Sequence, residues 1–87
     1  MQVRISSDLA KELAKIKKKD KKLASLVQEK LETFSLNPQH PSLRHHKLKG
    51  ELNNLWSISI TKSVRMVYLQ EDGEAYFTDI GTHDQVY

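Results

Sequence analysis

The sequence predicts an α+β fold in which a hairpin of two helices packs on one face of a small antiparallel sheet. Three strand-like runs follow one another in the C-terminal third of the chain, and two amphipathic helical segments precede them. A further strand-like run near the N-terminus gives the order β-α-α-β-β-β. We expect the 87 residues to form one domain, 1–87, with a modest core, because a chain of this length buries only about 60% of its unfolded surface.

The first strand and the first helix come from the N-terminal residues. Val3 and Ile5 alternate with polar neighbours, which predicts a short strand over residues 2–5 that must join the sheet to pair its backbone groups. Serines at positions 6 and 7 and an acid at position 8 predict a helix start. Apolar residues at 9, 13 and 16 mark one helical face, and Lys17–Lys19 place positive charge at the negative end of the helix dipole.

A second helix follows almost without a linker. Asp20 can cap it, and Asn37-Pro38 ends it, because a residue that precedes proline is disfavoured in the helical region. The short connection predicts an αα-hairpin on one face of the sheet. Its second helix has an apolar stripe made of Leu23, Leu26, Val27, Leu31 and Phe34. Lysines gather near the hairpin tip, at positions 15, 17, 18, 19, 21 and 22.

The three C-terminal strands differ in their patterns. Apolar residues at 56, 58 and 60 alternate with polar ones at 57, 59 and 61, which predicts one buried and one solvated face. Residues 64–69 are apolar on both faces apart from Arg65, as in a central strand, and residues 75–80 follow an Asp72-Gly73 turn signal. The predicted core consists of Trp56, Ile58, Met66, Tyr68 and Phe77 packed against Leu13, Ile16, Leu26, Val27 and Leu31.

Charge is divided unevenly along the chain. Residues 1–50 carry 12 Lys and Arg against 5 Asp and Glu, whereas residues 51–87 carry 2 against 6. This asymmetry favours a polyanionic partner for the basic half, although a solvated lysine-rich helix gives the same counts. The chain lacks cysteine, a bilayer-length apolar run and a signal-peptide core, so we expect a cytoplasmic protein without membrane association.

Residues 37–54 are predicted to form a long irregular segment. They contain both prolines and three of the four histidines, and a loop of this length in a small domain is usually functional or mobile. Four histidines without cysteine are weak evidence for zinc, and there is no glycine-rich phosphate loop. We therefore expect neither a metal nor a cofactor.

Three motifs follow one another along the chain. The basic segment His46-Lys47-Leu48-Lys49-Gly50 follows the helical hairpin, Val64-Arg65-Met66-Val67-Tyr68 is a strand that bears an arginine, and Gly81–Tyr87 reads Gly-Thr-His, three residues and an aromatic. In this order and at this chain length, the motifs resemble those of toxins of the RelE/ParE superfamily from bacterial type II toxin–antitoxin systems, and of YafQ- and RelE-type mRNA interferases most of all.

The resemblance implies a microbial-ribonuclease-like fold, binding at the ribosomal A site and endonucleolytic cleavage of the mRNA there. It also implies a cognate antitoxin as partner, with the toxin alone expected to be monomeric. RNA cleavage without a metal needs a base for the 2′-hydroxyl, an acid for the leaving 5′-oxygen and cations for the phosphate. Histidine suits the proton transfers because its pKa lies near neutral pH, whereas Lys and Arg suit the phosphate.

The resemblance assigns catalytic roles to His83, His46, Tyr87 and Arg65. His83 is the preferred acid–base group. His46 is preferred to His45 because it matches the histidine that precedes Leu-x-Gly in the YafQ type, and only one of two adjacent loop residues need face the site. Tyr87 can stack on a base or contact the phosphate, or else pack on the sheet edge. Arg65 either stabilises the transition state or forms a structural salt bridge, with Asp79 as the candidate partner. The candidate RNA-binding residues are Lys47, Lys49, Arg44 and His45.

Two positions depart from the YafQ pattern, which places a further histidine and aspartate on and just after the strand before the arginine strand. Ser59 and Ser63 occupy these positions here. The general base is therefore His46, or Asp84 replaces it, or activity is weak. Two other functions remain open: a ParE-like toxin that inhibits DNA gyrase, which would need no acid–base pair, and a non-catalytic module that binds the ribosome or RNA.

Overall fold

The computed structural model describes residues 1–48 and 54–82, which adopt the predicted α+β architecture. Two consecutive helices pack against one sheet, and most of the pairing in the sheet is antiparallel. The strands are β1 (Gln2–Ile5), β2 (His46–Lys47), β3 (Leu55–Ser59), β4 (Val64–Glu71) and β5 (Glu74–Thr82). The helices are α1 (Ser7–Lys19) and α2 (Lys21–Leu36), and a short 3-10 helix spans Pro41–Leu43. None of the helices in the described residues is long and apolar enough to cross a membrane.

Local capping fixes the bounds of the two helices. The Ser6 hydroxyl accepts a hydrogen bond from the Leu9 amide at 3.1 Å, and the Asp20 carboxylate accepts one from the Leu23 amide at 3.0 Å. Asp20 is both the C-cap of α1 and the N-cap of α2, so a single residue connects the two helices. The predicted N-caps and the helix end before Pro38 are confirmed.

The sheet has the strand order β1-β5-β4-β3-β2. Strand β4 lies at its centre, as its two apolar faces predicted. The N-terminal strand joins the sheet as expected, and it pairs in parallel with β5. The hairpin between β4 and β5 turns at Asp72 and Gly73, whose φ angles of 48° and 77° are both positive, as a two-residue type I′ turn requires.

The core lies between the helices α1 and α2 and one face of the sheet, which we call the helix-covered face. It contains Ile58, Met66, Tyr68 and Phe77, and it packs on Leu9, Val27 and Phe34 of the helices and on Leu43. Trp56, Leu13, Leu26 and Leu31 are half-buried against this cluster, so most of the predicted core is confirmed. Ile16 is the exception. It lies in the last turn of α1 beside the lysines of the hairpin tip and is not among the half-buried residues that pack against this cluster.

The opposite face of the sheet, which carries Ser57, Ser59 and Arg65 and which we call the distal face, is less exposed than predicted. Ser57 is 0% exposed and Ser59 is 9% exposed, so the expectation of a solvated serine face on β3 is wrong. The reason is local. Arg65 Nε donates to the Ser57 hydroxyl at 3.0 Å, and the Ser59 hydroxyl donates to the Thr61 carbonyl at 2.8 Å. Both buried hydroxyls therefore have a hydrogen-bond partner.

Two segments predicted as irregular contain regular structure. The stretch 37–54 includes the 3-10 helix and the two-residue strand β2, which pairs with β3. Strand β5 continues through Thr82, so Gly81 and Thr82 belong to the sheet and not to a tail. Residues 49–53 and 83–87 lie outside the described residues.

Candidate active site on the distal face

The segment that carries the adjacent histidines is attached to the edge of the sheet. Arg44 follows the 3-10 helix in the left-handed region, with φ 45° and ψ 49°, and turns the chain into β2. His46 then pairs with Ser57 and Lys47 pairs with Trp56 across the β2–β3 ladder. Side chains directly opposite each other in a sheet share a face. His46 therefore belongs to the distal face, whereas Lys47 belongs to the side of Trp56.

His45 is half-buried in an aromatic cluster on the helix-covered face. Its ring stacks on Trp56 at a centroid distance of 4.7 Å and on Tyr68 at 5.7 Å, and it meets the edge of Phe34 at 6.1 Å. Its Nε2 is hydrogen-bonded to the Tyr68 hydroxyl. Burial, together with the neighbouring charge of His46, lowers the pKa of His45. Burial also raises the pKa of Tyr68, so both partners are neutral at pH 7.

His46 and Arg65 flank Ser57 on the distal face. The side chain of His46 is exposed on the edge strand, beside its cross-strand neighbour Ser57. Arg65 Nε donates to the Ser57 hydroxyl at 3.0 Å, and its Nη2 donates to the Arg44 carbonyl at 2.8 Å. The guanidinium is therefore fixed beside the segment that carries His46. Among the described residues it bonds to Ser57 and Arg44 and not to Asp79, whose carboxylate accepts from the Thr78 hydroxyl.

Of the remaining candidates, the structure describes Lys47 and Arg44. Lys47 Nζ lies 5.9 Å from the centre of the Trp56 ring, on the side of the sheet that carries His45. Arg44 has an exposed side chain, and its carbonyl is the group that Arg65 contacts. Lys49, His83 and Tyr87 lie outside the described residues.

Comparison with known proteins decides the family. The family model for YafQ, a bacterial toxin of type II toxin–antitoxin systems, matches residues 1–87. The chain belongs to the YafQ toxin family. The putative toxin RelE4 of Methanocaldococcus jannaschii is similar at 30% identity over 88 residues, covering 99% of this chain and 89% of that protein.

Solved toxins share the fold of this YafQ-family chain. A copper-bound mutant toxin from Helicobacter pylori superposes with a TM-score of 0.79 at 23% identity, covering 100% of this chain and 99% of the other. YafQ in the DinJ–YafQ complex of E. coli gives a TM-score of 0.79 at 15% identity, with coverages of 99% and 97%. The predicted membership of the toxin superfamily and the predicted fold class are both confirmed.

Sequence analysis of this YafQ-family toxin missed two contributors to the candidate site. Ser57 was predicted to be an ordinary solvated strand residue, yet it connects Arg65 to the strand opposite His46. Trp56 was predicted as core only, yet it also stacks on His45 and lies beneath Lys47. Alternation along β3 places these residues on opposite faces. Their partners depend on β2, for which the sequence gives no periodic signal.

An apolar concave surface of this YafQ-family chain lies away from the distal face. It is an apolar groove of about 940 Å³ along the helical hairpin, lined in part by Val3, Leu13, Val27 and Leu31. Leu36, which is 89% exposed, lies at its rim. None of the candidate site residues that the structure describes lines it. Within residues 1–48 and 54–82, no three His, Asp or Glu side chains are grouped as ligands for a metal ion.

Proposed function

We propose that this YafQ-family toxin is a ribosome-dependent endoribonuclease that cleaves mRNA by acid–base catalysis without a metal. The observation that carries the proposal is the convergence of His46 and Arg65 on Ser57, on the sheet face opposite the helices. An exposed imidazole beside a fixed guanidinium supplies two of the groups that RNA cleavage needs. Membership of the YafQ family supports the same activity.

In the proposed reaction, the 2′-hydroxyl of one nucleotide attacks the adjacent phosphorus and the 5′-oxygen of the next nucleotide leaves. His46 takes the proton from the 2′-hydroxyl, and His83 gives a proton to the leaving oxygen. Arg65 stabilises the negative charge that develops on the phosphate, and its anchoring to Ser57 and Arg44 keeps it oriented before the substrate arrives. Tyr87 stacks on a base or contacts the phosphate.

The environment of Ser59 supports His46 as the general base. The Ser59 hydroxyl donates to the Thr61 carbonyl, and Ser63 lies in the exposed turn between β3 and β4. A serine hydroxyl is a poor general base by itself. His46 or Asp84 therefore has to take that role, and we assign it to His46 because of its place beside Ser57.

Three cations close to His46 in the sequence are proposed to bind RNA. We assign phosphate contacts to Arg44, Lys47 and Lys49, of which Lys47 lies on the Trp56 side of the sheet. His45 was also a candidate for RNA binding. Because its ring is packed against Trp56 and Tyr68, it offers little surface to RNA, and we assign it a different role below.

We further propose that a cognate antitoxin holds the toxin inactive in the cytoplasm. The E. coli relative with the same fold is found in a complex with DinJ. The basic charge of residues 1–50 suits an acidic antitoxin segment that covers the proposed catalytic residues His46 and His83 or displaces secondary structure beside them. Co-expression with the neighbouring open reading frame should restore growth. Arrest that persists beside a soluble, expressed neighbour contradicts this partner.

Mapping of mRNA ends after induction in cells tests the proposed activity. Breaks within codons that occupy the ribosomal A site are the expected result. DNA damage without RNA breaks would instead indicate a gyrase-inhibiting toxin of ParE type. Stalled ribosomes on intact mRNA would indicate a binding module without catalysis. Either of the last two results overturns the proposal.

A further inference from the structure

Strand β2 is too short to hold its own position. It is two residues long and lies at the edge of the sheet, where the described residues pair it with β3 alone. The ladder is extended by one further hydrogen bond, from the Leu48 amide to the Leu55 carbonyl at 2.9 Å. Short edge elements with few buried contacts are the ones that open locally at low cost. The orientation of His46 therefore depends on side chains that attach this segment to the sheet.

Side chains attach the segment from both faces. On the distal face, Arg65 Nη2 donates to the Arg44 carbonyl. On the helix-covered face, the His45 ring lies against Trp56 and Tyr68 in two nearly parallel stacks, with interplanar angles of 20° and 7°. Its Nε2 is hydrogen-bonded to the Tyr68 hydroxyl. This bond fixes the rotation of the His45 ring, whereas the stacking fixes its position against the sheet.

We propose that His45 is a positioning residue that holds His46 on the distal face. Consecutive side chains of a strand point to opposite faces, so a ring fixed against Trp56 and Tyr68 directs the next side chain toward Ser57 and Arg65. A one-residue slip of this segment would exchange the faces of the two histidines. The inference rests on the proposed function of His46, and it explains why the histidine that sequence analysis assigned to RNA is half-buried.

Amide hydrogen exchange tests the attachment without any assay of activity. The Leu48 amide reports whether β2 stays paired, because it donates to Leu55 across the ladder. His45→Ala removes both the stacking and the hydrogen bond, and we expect about tenfold faster exchange at Leu48. Amides of β4 and β5 should keep their protection. Gln39→Ala, at an exposed residue of the same segment whose backbone amide rather than its side chain bonds to Asn37, is the control and should leave Leu48 unchanged.

Two milder variants cover the case in which His45→Ala does not fold. His45→Phe keeps a ring between Trp56 and Tyr68 but loses the hydrogen bond, and Tyr68→Phe loses the same bond from the other side. Both should accelerate exchange at Leu48 by less than His45→Ala, and His45→Phe should recover most of the wild-type protection. Unchanged Leu48 protection in all folded variants overturns the proposal.

Single-turnover cleavage on programmed ribosomes tests the consequence for His46. A positioning role predicts that His45→Ala lowers the maximal rate about 10- to 100-fold with little change in the ribosome concentration for half-maximal rate, and that His45→Phe restores most of it. Full activity in a His45→Ala protein that has lost Leu48 protection overturns the positioning role. If the wild type does not cleave, the proposed function fails, whereas the exchange experiment still decides whether His45 holds β2.

Discussion

At the scale of single residues, two adjacent histidines have opposite environments. His45 is stacked among aromatic rings on the helix-covered face, and His46 is exposed on the distal face beside Ser57. A neutral imidazole packs well on aromatic rings, whereas an exposed imidazole is accessible to a substrate. The two positions therefore respond differently to substitution.

Stability should fall in mild acid because of His45. Its pKa is lowered by burial and then by the charge of His46, so below about pH 6.5 the unfolded state binds more protons than the folded state. The free energy of unfolding therefore decreases as the pH falls from about 6.5 through the lower pKa of the folded protein. The groups around the ring are the Tyr68 hydroxyl, the neutral rings of Phe34 and Trp56, and the neighbouring His46 and Lys47.

Urea unfolding at a series of pH values between 7.5 and 5 measures this effect. His45→Phe is the matched variant because it keeps a ring but cannot be protonated. As the pH falls, the wild type should lose more of its unfolding free energy than the variant does. Parallel pH curves for the two proteins would show that His45 is not the titrating group.

His83 carries the sharpest prediction at this scale. If it protonates the leaving 5′-oxygen, His83→Ala should lower the single-turnover cleavage rate about 10²–10⁴-fold. We expect the free energy of unfolding to change by less than about 0.5 kcal/mol, because the residue lies outside the apolar pattern. His40→Ala is a better control than His45→Ala, since His45 is packed against Trp56 and Tyr68. A folded His83→Ala protein that cleaves within a few-fold of wild type contradicts the assignment.

At the scale of elements, the turn between β4 and β5 requires residues that tolerate a positive φ angle. Gly73 has a φ of +77°, and a Cβ added there would meet nothing within 4 Å. Gly73→Ala should therefore lower the free energy of unfolding through backbone strain alone, by roughly 1–2 kcal/mol. Gly73→Asn should cost less, because asparagine visits the left-handed region more readily. Chemical denaturation measures both, and equal losses for the two variants would contradict the backbone explanation.

The elements that sequence analysis predicted well are those whose causes are local. Ser6 and Asp20 bond to amides three residues ahead, and Asp72-Gly73 forms its turn from two consecutive residues. The elements it missed depend on distant partners. Strand β2 exists because it pairs with β3, and two residues are too few to show a period.

The same distinction applies to the candidate site. Alternation predicted that His45 and His46 point in different directions, but it did not determine which of them faces the core. That choice follows from the pairing of His46 with Ser57 and from the position of Tyr68 on β4. Likewise, Arg65 was expected to need a polar partner, and the structure provides Ser57 and the Arg44 carbonyl where the sequence suggested Asp79.

At the scale of the whole molecule, the sheet divides the chain into two functional layers. The helix-covered face contains most of the core, including Phe34, Tyr68 and Phe77, whose rings pack edge to face or tilted at 4.9 to 5.4 Å. The distal face carries polar groups that are bonded to each other and to the segment around His46. Changes at an exposed residue of the distal face, such as His46, should therefore affect activity more than stability.

A site built from imidazole and guanidinium groups should work without a metal. We expect cleavage on ribosomes to survive exhaustive chelation of protein and substrate when magnesium is restored only as far as ribosome integrity requires. Proton transfer by histidine and charge stabilisation by Arg65 supply the chemistry that a Lewis acid would otherwise provide. A further requirement for added zinc or manganese would contradict this expectation.

The central claim is that this toxin cleaves mRNA on the ribosome with groups from its distal face. Single-turnover cleavage of an mRNA positioned in the A site of programmed ribosomes measures it most directly, with wild type, His46→Ala and His40→Ala compared at equal folded concentration. The account predicts cleavage within the A-site codon, a loss of about 10²–10⁴-fold in His46→Ala, and near wild-type rates in His40→Ala. Intact mRNA with the wild type, or equal rates for wild type and His46→Ala, would contradict it.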